Sequence, residues 1–370
     1  MELLTKSGIP VKNLWFMLLY TWDLPDLRQQ FQAEIDHSPD LQGLFAAILV
    51  KLVRQRLKIG LAHGYDNRKA VISGVKGRID FNQTTKRMLL EKGKTFCSFQ
   101  SYQKNIEANQ IVKSTIAKLI QTENERFSGK IHEIRSLKSE LRMIFRELEG
   151  IDTIPLRPGL IQRVLATRHD QDYRLMLLIC EMMNKRWMPT EDSGTEKFSQ
   201  LDRSQFILHD IFERFTAKFY QMHLKNWKVT AQELMQWPAE VEHPFLPRLV
   251  PDLILRSKTT EKLIILDTKF TAHSIVTGRW GNSTFNRDHL FQIYSYLKSQ
   301  ETRSYQFQNA TGILLYPAVN QQLSESVIIQ NHRIRWETIN LTDEWSLIET
   351  RMIDMIEQEN VTGFINYQCP

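Results

Sequence analysis

The sequence predicts a two-domain protein of mixed α+β and α/β class. Residues 1–195 form a domain of helices and short strands, and residues 196–370 form a central mixed sheet flanked by helices. Three observations carry this. A chain of 370 residues is long enough for two domains of ordinary size. The polar segment MPTEDSGTEKFSQ (188–200) has little to bury and separates two stretches of regular apolar patterning. Beyond it the rhythm changes, from long helical periods to short β-rich runs set between helices.

Taken in order, residues 13–22 are apolar and aromatic, and residues 41–57 have helical spacing with Lys51, Arg54 and Arg56 gathered toward the end. Residues 70–72 and 78–81 read as short strands around the glycines of SGVKGRIDF. Helical patterns resume over 105–121 and 130–148, stop at the proline-rich IDTIPLRPG (151–159), and return over 172–187. In the second half a helix over 204–224 carries Phe206, Phe212, Phe215 and Phe219. Strands follow at 248–256 and 262–270, then a Gly/Asn/Ser-containing loop, a helix over 288–298 and a strand at 312–316. Residues 327–339 hold one or two more strands, and 344–358 a closing helix.

Composition narrows the class. An apolar fraction of 42% with 24% charged residues is that of a soluble globular chain, and no apolar run reaches the roughly 18 residues that span a bilayer. The N-terminus MELLTKSGIPVKN lacks the features of a secretion signal, so a cytoplasmic protein is expected. Cys97, Cys180 and Cys369 are odd in number and far apart, which excludes a disulfide framework and leaves free thiols. A net charge of +6 is compatible with a polyanionic partner without requiring one.

The sharpest feature is LVPDLILRSKTTEKLIILDTKF (249–270), two β-rich runs joined by the polar residues 257–261. Asp252 lies early in the first run and Asp267 near the end of the second, so antiparallel pairing makes them neighbours. Lys269 is two residues beyond Asp267, and the strand period of two puts both side chains on one face. Two carboxylates and an ammonium at one strand end suit phosphodiester hydrolysis. The carboxylates can hold Mg²⁺, which activates water, while the lysine orients that water and balances charge. The alternative is a surface hairpin with Asp267 and Lys269 exposed.

Gln292 and Tyr296 lie four apart in DHLFQIYSYL and share one helix face. Nucleases of the PD-(D/E)xK type carry such a pair after the D-x-K strand; an amphipathic helix with a core tyrosine gives the same pattern. Glu213, in HDIFERF, either completes the metal shell through water or is a solvated helix glutamate. In the loop 271–287, Arg279 and Arg287 are either DNA-phosphate contacts or solvated charges. Gly93-Lys94-Thr95 imitates the end of a phosphate-binding loop, but position 88, where the first glycine belongs, is Met88. The histidines show no metal-ligand spacing, and His243, His273 and His289 are expected in loops or at the surface.

With those residues in view, the chain resembles the McrC family, the nuclease subunits of modified-cytosine restriction systems. IPVKNLWFMLLYTW (9–22) is similar to the family's N-terminal signature, and GVKGRIDF (74–81), GKTFCSF (93–99) and ANQIVKSTIAKLI (108–120) follow in the family's order. PDLILR, LIILDTKF, the Gln292/Tyr296 helix and GILLYPAV (312–319) match in the second half. The resemblance implies a PD-(D/E)xK restriction-endonuclease-like domain acting with Mg²⁺ on double-stranded DNA. It also implies an N-terminal domain that docks into the pore of a hexameric AAA+ GTPase, McrB-like, and stimulates it. Arg78 and the basic residues of 69–76 are candidates for that contact, and nuclease domains are expected to pair with each other. Two other readings compete: a catalytically silent adaptor of an AAA+ ring, and a PD-(D/E)xK nuclease of another DNA pathway.

Overall fold

The computed structural model describes residues 8–38, 40–122, 131–187, 200–239, 243, 245–269, 275–277, 283–319 and 322–361. In chain order they form α1 (Val11–Thr21), α2 (Leu41–Ile59), β1 (Gly64–Ser73), β2 (Arg78–Ile79), β3 (Lys94–Gln103), α3 (Glu107–Gln121), α4 (Ile131–Glu147), α5 (Leu160–Leu165) and α6 (Gln171–Trp187). Then come α7 (Gln200–His223), β4 (Trp227–Ala231), β5 (Leu253–Ser257), β6 (Leu263–Thr268), β7 (Ile275–Thr277) and β8 (Ser283–Phe285). The chain ends with α8 (Arg287–Gln300), β9 (Thr311–Ala318), β10 (Ser324–Ile329), β11 (His332–Asn340) and α9 (Trp345–Val361).

The chain divides into two compact units, residues 33–194 and residues 1–32 together with 195–370. This corrects the expected division at the N-terminal side, where residues 1–195 were assigned to one domain. The reason lies in α1, where every residue from Asn13 to Tyr20 is buried. A helix apolar all round needs cover on all sides. It packs along α7, with Tyr20 against Phe215 and Phe219, and Phe16 edge-on to Trp345 of α9. Asn13 Nδ2 donates to the carbonyls of Leu341 and Asp343 at 2.8 and 2.9 Å. Apolar content alone does not say which half of the chain supplies the partners.

In the unit 33–194, α2, α3, α4 and α6 pack on one another. Asp40 caps α2, its Oδ1 accepting from Gly43 N at 2.6 Å, and Gly60 ends the helix at φ +110°. Between α2 and α3 the chain forms a three-stranded antiparallel sheet of order β1-β3-β2. The short strand expected at 70–72 is the last part of a ten-residue strand, and its partner β3 has no counterpart in the sequence reading. KTFCSFQSYQ shows little apolar alternation because much of this ribbon faces solvent. Gly93, in the left-handed region at φ +64°, turns the chain into β3, which accounts for the Gly-Lys-Thr tripeptide without a bound phosphate.

The other unit is built on a six-stranded mixed sheet of order β10-β11-β9-β6-β5-β4. β6, β9 and β11 run parallel; the remaining pairs are antiparallel. β6 is buried at every residue, as expected for a central strand covered on both faces, whereas the edge strand β10 is largely exposed. The first strand of the 249–270 hairpin begins at Leu253 rather than at 248, and the residues 327–339 span the end of β10 and most of β11. One face carries Ile254, Ile265, Leu314 and Trp336 against Ile293, Tyr296 and Leu297 of α8. β7 and β8 form a small ribbon in the expected loop, and Phe285 stacks on Trp336 at 4.0 Å.

α8 approaches β9 closely at Gly312, where a Cβ would lie 2.8 Å from Ile293 Cγ1 and 2.9 Å from Leu297 Cδ1. Gly312→Val is therefore expected to cost about 1–3 kcal/mol through overpacking, read as a lower urea midpoint with an unchanged slope. A midpoint equal to the parent's would mean that α8 is not seated on β9 at this distance.

Candidate active site

The β5–β6 pairing sets Leu253 opposite Leu266, so Asp252, one residue before β5, faces Asp267 in β6. Asp252 Oδ2 accepts from both the backbone N and Oγ1 of Thr268, each at 2.6 Å, while Gln232 N donates to the Asp252 carbonyl at 2.9 Å. The carboxylate is thus aimed by its neighbours, and its Oδ1 has no partner among the described residues. Lys269 continues past β6, its N donating to Leu315 O at 2.8 Å, and its ammonium pairs with the Asp267 carboxylate.

Behind Lys269 a relay of hydrogen bonds runs into α8. Lys269 Nζ donates to Gln292 Oε1 at 2.8 Å, Gln292 Nε2 to Tyr296 OH at 2.9 Å, and Tyr296 OH to Val250 O at 3.2 Å. The expected pair shares one face and does a definite job: Gln292 holds the ammonium, and Tyr296 holds Gln292 against the segment that leads into Asp252. On the opposite side Glu213, half-buried in α7, accepts from Gln232 Nε2 at 2.8 Å.

Electrostatics show that the acids are close. Asp267 is only 2% exposed, and burial first, then the Asp252 charge, push its carboxyl up to about 7 against the opposing pull of Lys269. Glu213 is raised too, by burial and by Asp252. A divalent cation would relieve this crowding of negative charge. Among the described residues no three acidic, His or Cys side chains form a ready-made cage. Asp252 and Asp267 supply two hard oxygens, which suits an ion that keeps several waters and binds through one or two carboxylates.

The structure brings together Asp252, Asp267, Lys269, Glu213, Gln292 and Tyr296. Arg287 stands apart, exposed beside Asp288, and Arg279 and His273 lie outside the described residues. Cys97 and Cys180 are free and buried; Cys369 also lies outside the described residues. Sequence reasoning missed Thr268, Gln232, Tyr316 and His289. His289 was expected in a loop or at the surface; it sits half-buried in the first turn of α8, with Nδ1 3.0 Å from Tyr316 OH. Burial and the nearby Lys269 charge lower its pKa. Its spacing of three residues before Gln292, on the same helix face, was the available signal.

The chain is thus of α/β class, a mixed sheet flanked by helices, with two facing acids and a lysine gathered at the end of its central strand. The chain belongs to the family of McrBC 5-methylcytosine restriction system components, whose model matches residues 4–317. It is 28% identical over 356 residues, 95% of this chain and 98% of the relative, to the type IV methyl-directed restriction enzyme EcoKMcrBC of Escherichia coli K12. Its fold is similar to that of a chain in an assembly of Thermococcus gammatolerans McrB AAA+ hexamers with bound McrC. That match has a TM-score of 0.56 and 13% identity, over 90% of this chain and 72% of that one. No helix among the described residues is long and apolar enough to cross a membrane.

Proposed function

We propose that this restriction-system component is its nuclease subunit, a Mg²⁺-dependent DNA endonuclease of the PD-(D/E)xK type working with a hexameric McrB-like AAA+ GTPase. The observation that supports this most is the meeting of Asp252, Asp267 and Lys269 at one end of an antiparallel pair, with Gln292 and Tyr296 bracing the lysine. Asp252 and Asp267 are the residues that would hold Mg²⁺, with Glu213 completing the acidic lining of the site. The ion, when bound, supplies an activated water and stabilises phosphoryl charge.

The protein's own groups do the rest. Thr268 fixes the Asp252 carboxylate, leaving Oδ1 for binding. Lys269, immobilised by Gln292, orients the attacking water and stabilises the extra negative charge of the transition state. Arg279 and Arg287 contact backbone phosphates, and nuclease units pair to cut both strands. The unit 33–194 docks on the GTPase and stimulates it. A silent adaptor would have no need of the Lys269–Gln292–Tyr296 relay.

The test is cleavage of methylated and unmethylated plasmid with Mg²⁺, GTP and the GTPase partner, comparing the wild type with Lys269→Ala. Loss of cutting by about 10²–10³-fold with complex assembly intact is expected. Equal cutting by the variant would place the active site elsewhere. GTPase stimulation by a wild type that never cuts would support the adaptor.

A further inference from the structure

The charge of the chain is not spread evenly. Residues 60–105 contain nine Lys and Arg against three Asp and Glu, a net of +6, equal to the charge of the entire sequence. These residues are the three-stranded ribbon and its connections. β1 and β3 pair residue for residue from Gly64↔Gln103 to Ser73↔Lys94, so strand alternation assigns each side chain a face. Thr95 and Cys97 are buried on one face. The other carries Tyr65, Asn67, Lys69 and Val71 from β1, and Tyr102, Gln100, Ser98, Phe96 and Lys94 from β3. None of these is acidic.

That face is open and its aromatic rings are already arranged. Tyr65 and Tyr102 are 73% and 63% exposed, opposite one another with ring centroids 5.1 Å apart. His63 stacks on Tyr102 at 5.0 Å and 21°. Further along, Arg87 lies 5.2 Å from the Phe96 ring centroid, and Lys69 and Lys94 are exposed. Of the acids nearby, Asp80 is engaged as the cap of the Phe81–Lys86 helix, and Glu91 lies in the turn before β3. Large rings left in water at one end, followed by cations along about 33 Å of strand, match a polymer with flat apolar faces and a regular negative charge.

The geometry points to this face as a binding surface for a single DNA strand, with bases stacked on the His63–Tyr102–Tyr65 ladder and phosphates on Lys69, Lys94 and Arg87. A strand of about 4–6 nucleotides spans it. This rests on the reading that the protein acts on DNA, and it adds a contact in the unit that lacks the cleavage residues.

The test uses the full chain in EDTA, where binding is read without cutting. Fluorescence anisotropy follows a labelled 20-nucleotide single strand across 50–200 mM KCl. Tyr65→Ala/Tyr102→Ala is expected to weaken binding about tenfold or more with little change in salt slope. Lys69→Gln/Lys94→Gln is expected to flatten the slope of log K against log salt by about 1.4. Tyr65→Leu/Tyr102→Leu keeps apolar bulk without a π face and is expected to behave as the alanine pair, which separates stacking from folding. Wild-type affinity and slope in all variants would overturn the assignment. So would a duplex competing as well as the single strand, or a loss of GTPase stimulation with unchanged oligonucleotide binding. Plasmid cutting by the wild type alongside such a result would show that only the ribbon assignment had failed.

Discussion

Asp267→Asn is expected to abolish cleavage, by at least about 10²–10³-fold, and at the same time to make the protein more stable at pH 8. Asp267 is buried opposite Asp252, and its carboxyl ionises only near 7 in the folded chain against 3.8 for the ordinary group. Between those values the folded state keeps a proton that the unfolded state has released. Wild-type stability from this group is therefore highest below pH 4, falls as the pH rises through the window, and levels off above 7. Asparagine does not titrate and escapes the loss. At roughly 1.4 kcal/mol per unit, less what the Lys269 ammonium forfeits with its partner, the gain is about 2–4 kcal/mol at pH 8 and close to zero at pH 4. Urea denaturation of both proteins at the two pH values, in chelator, measures it. An asparagine variant less stable than wild type at pH 8 would mean that the Lys269 pair outweighs burial and the Asp252 repulsion.

Arg335→Met is expected to be the most damaging single change to the fold. Arg335 of β11 is 4% exposed and donates to Glu337 at 2.9 Å, to Glu359 at 2.8 Å and to the Met355 carbonyl at 2.9 Å. Glu337 and Glu359 are themselves buried, with Arg351 and Arg333 as second partners. Removing the shared cation leaves two buried carboxylates short of charge and a carbonyl without its donor, at a cost of about 3–5 kcal/mol. The double variant Arg335→Met/Glu359→Gln, which also removes one of the stranded charges, should recover part of that loss. Additive losses in the double variant would show that Arg335 and Glu359 act independently.

Much of the site was legible in the chain because it depends on local geometry. The period of two in β6 places Asp267 and Lys269 together, the hairpin brings Asp252 opposite, and helical spacing aligns Gln292 with Tyr296; none of this needs distant contacts. Arg279 and Arg287 show the limit, since residue type at a loop position says nothing about what the side chain faces. Arg287 points into solvent beside Asp288, and Arg279 lies outside the described residues.

Other features were decided only by tertiary packing. That α1 belongs with the C-terminal sheet depends on α7 and α9 supplying the surfaces that cover its rings, which lie about 200 residues or more further along the chain. Gln232 and Thr268 hold Glu213 and Asp252 through hydrogen bonds that no motif encodes. The same holds for His289 and Tyr316, brought together by the seating of α8 on β9 at Gly312. The sequence by itself determined which acids, lysine and helix residues share a face, because strand and helix periodicity and one short hairpin do that locally. Only the tertiary structure decided how far Asp267 is buried and thus how its proton is held, because desolvation is a property of everything packed around a group.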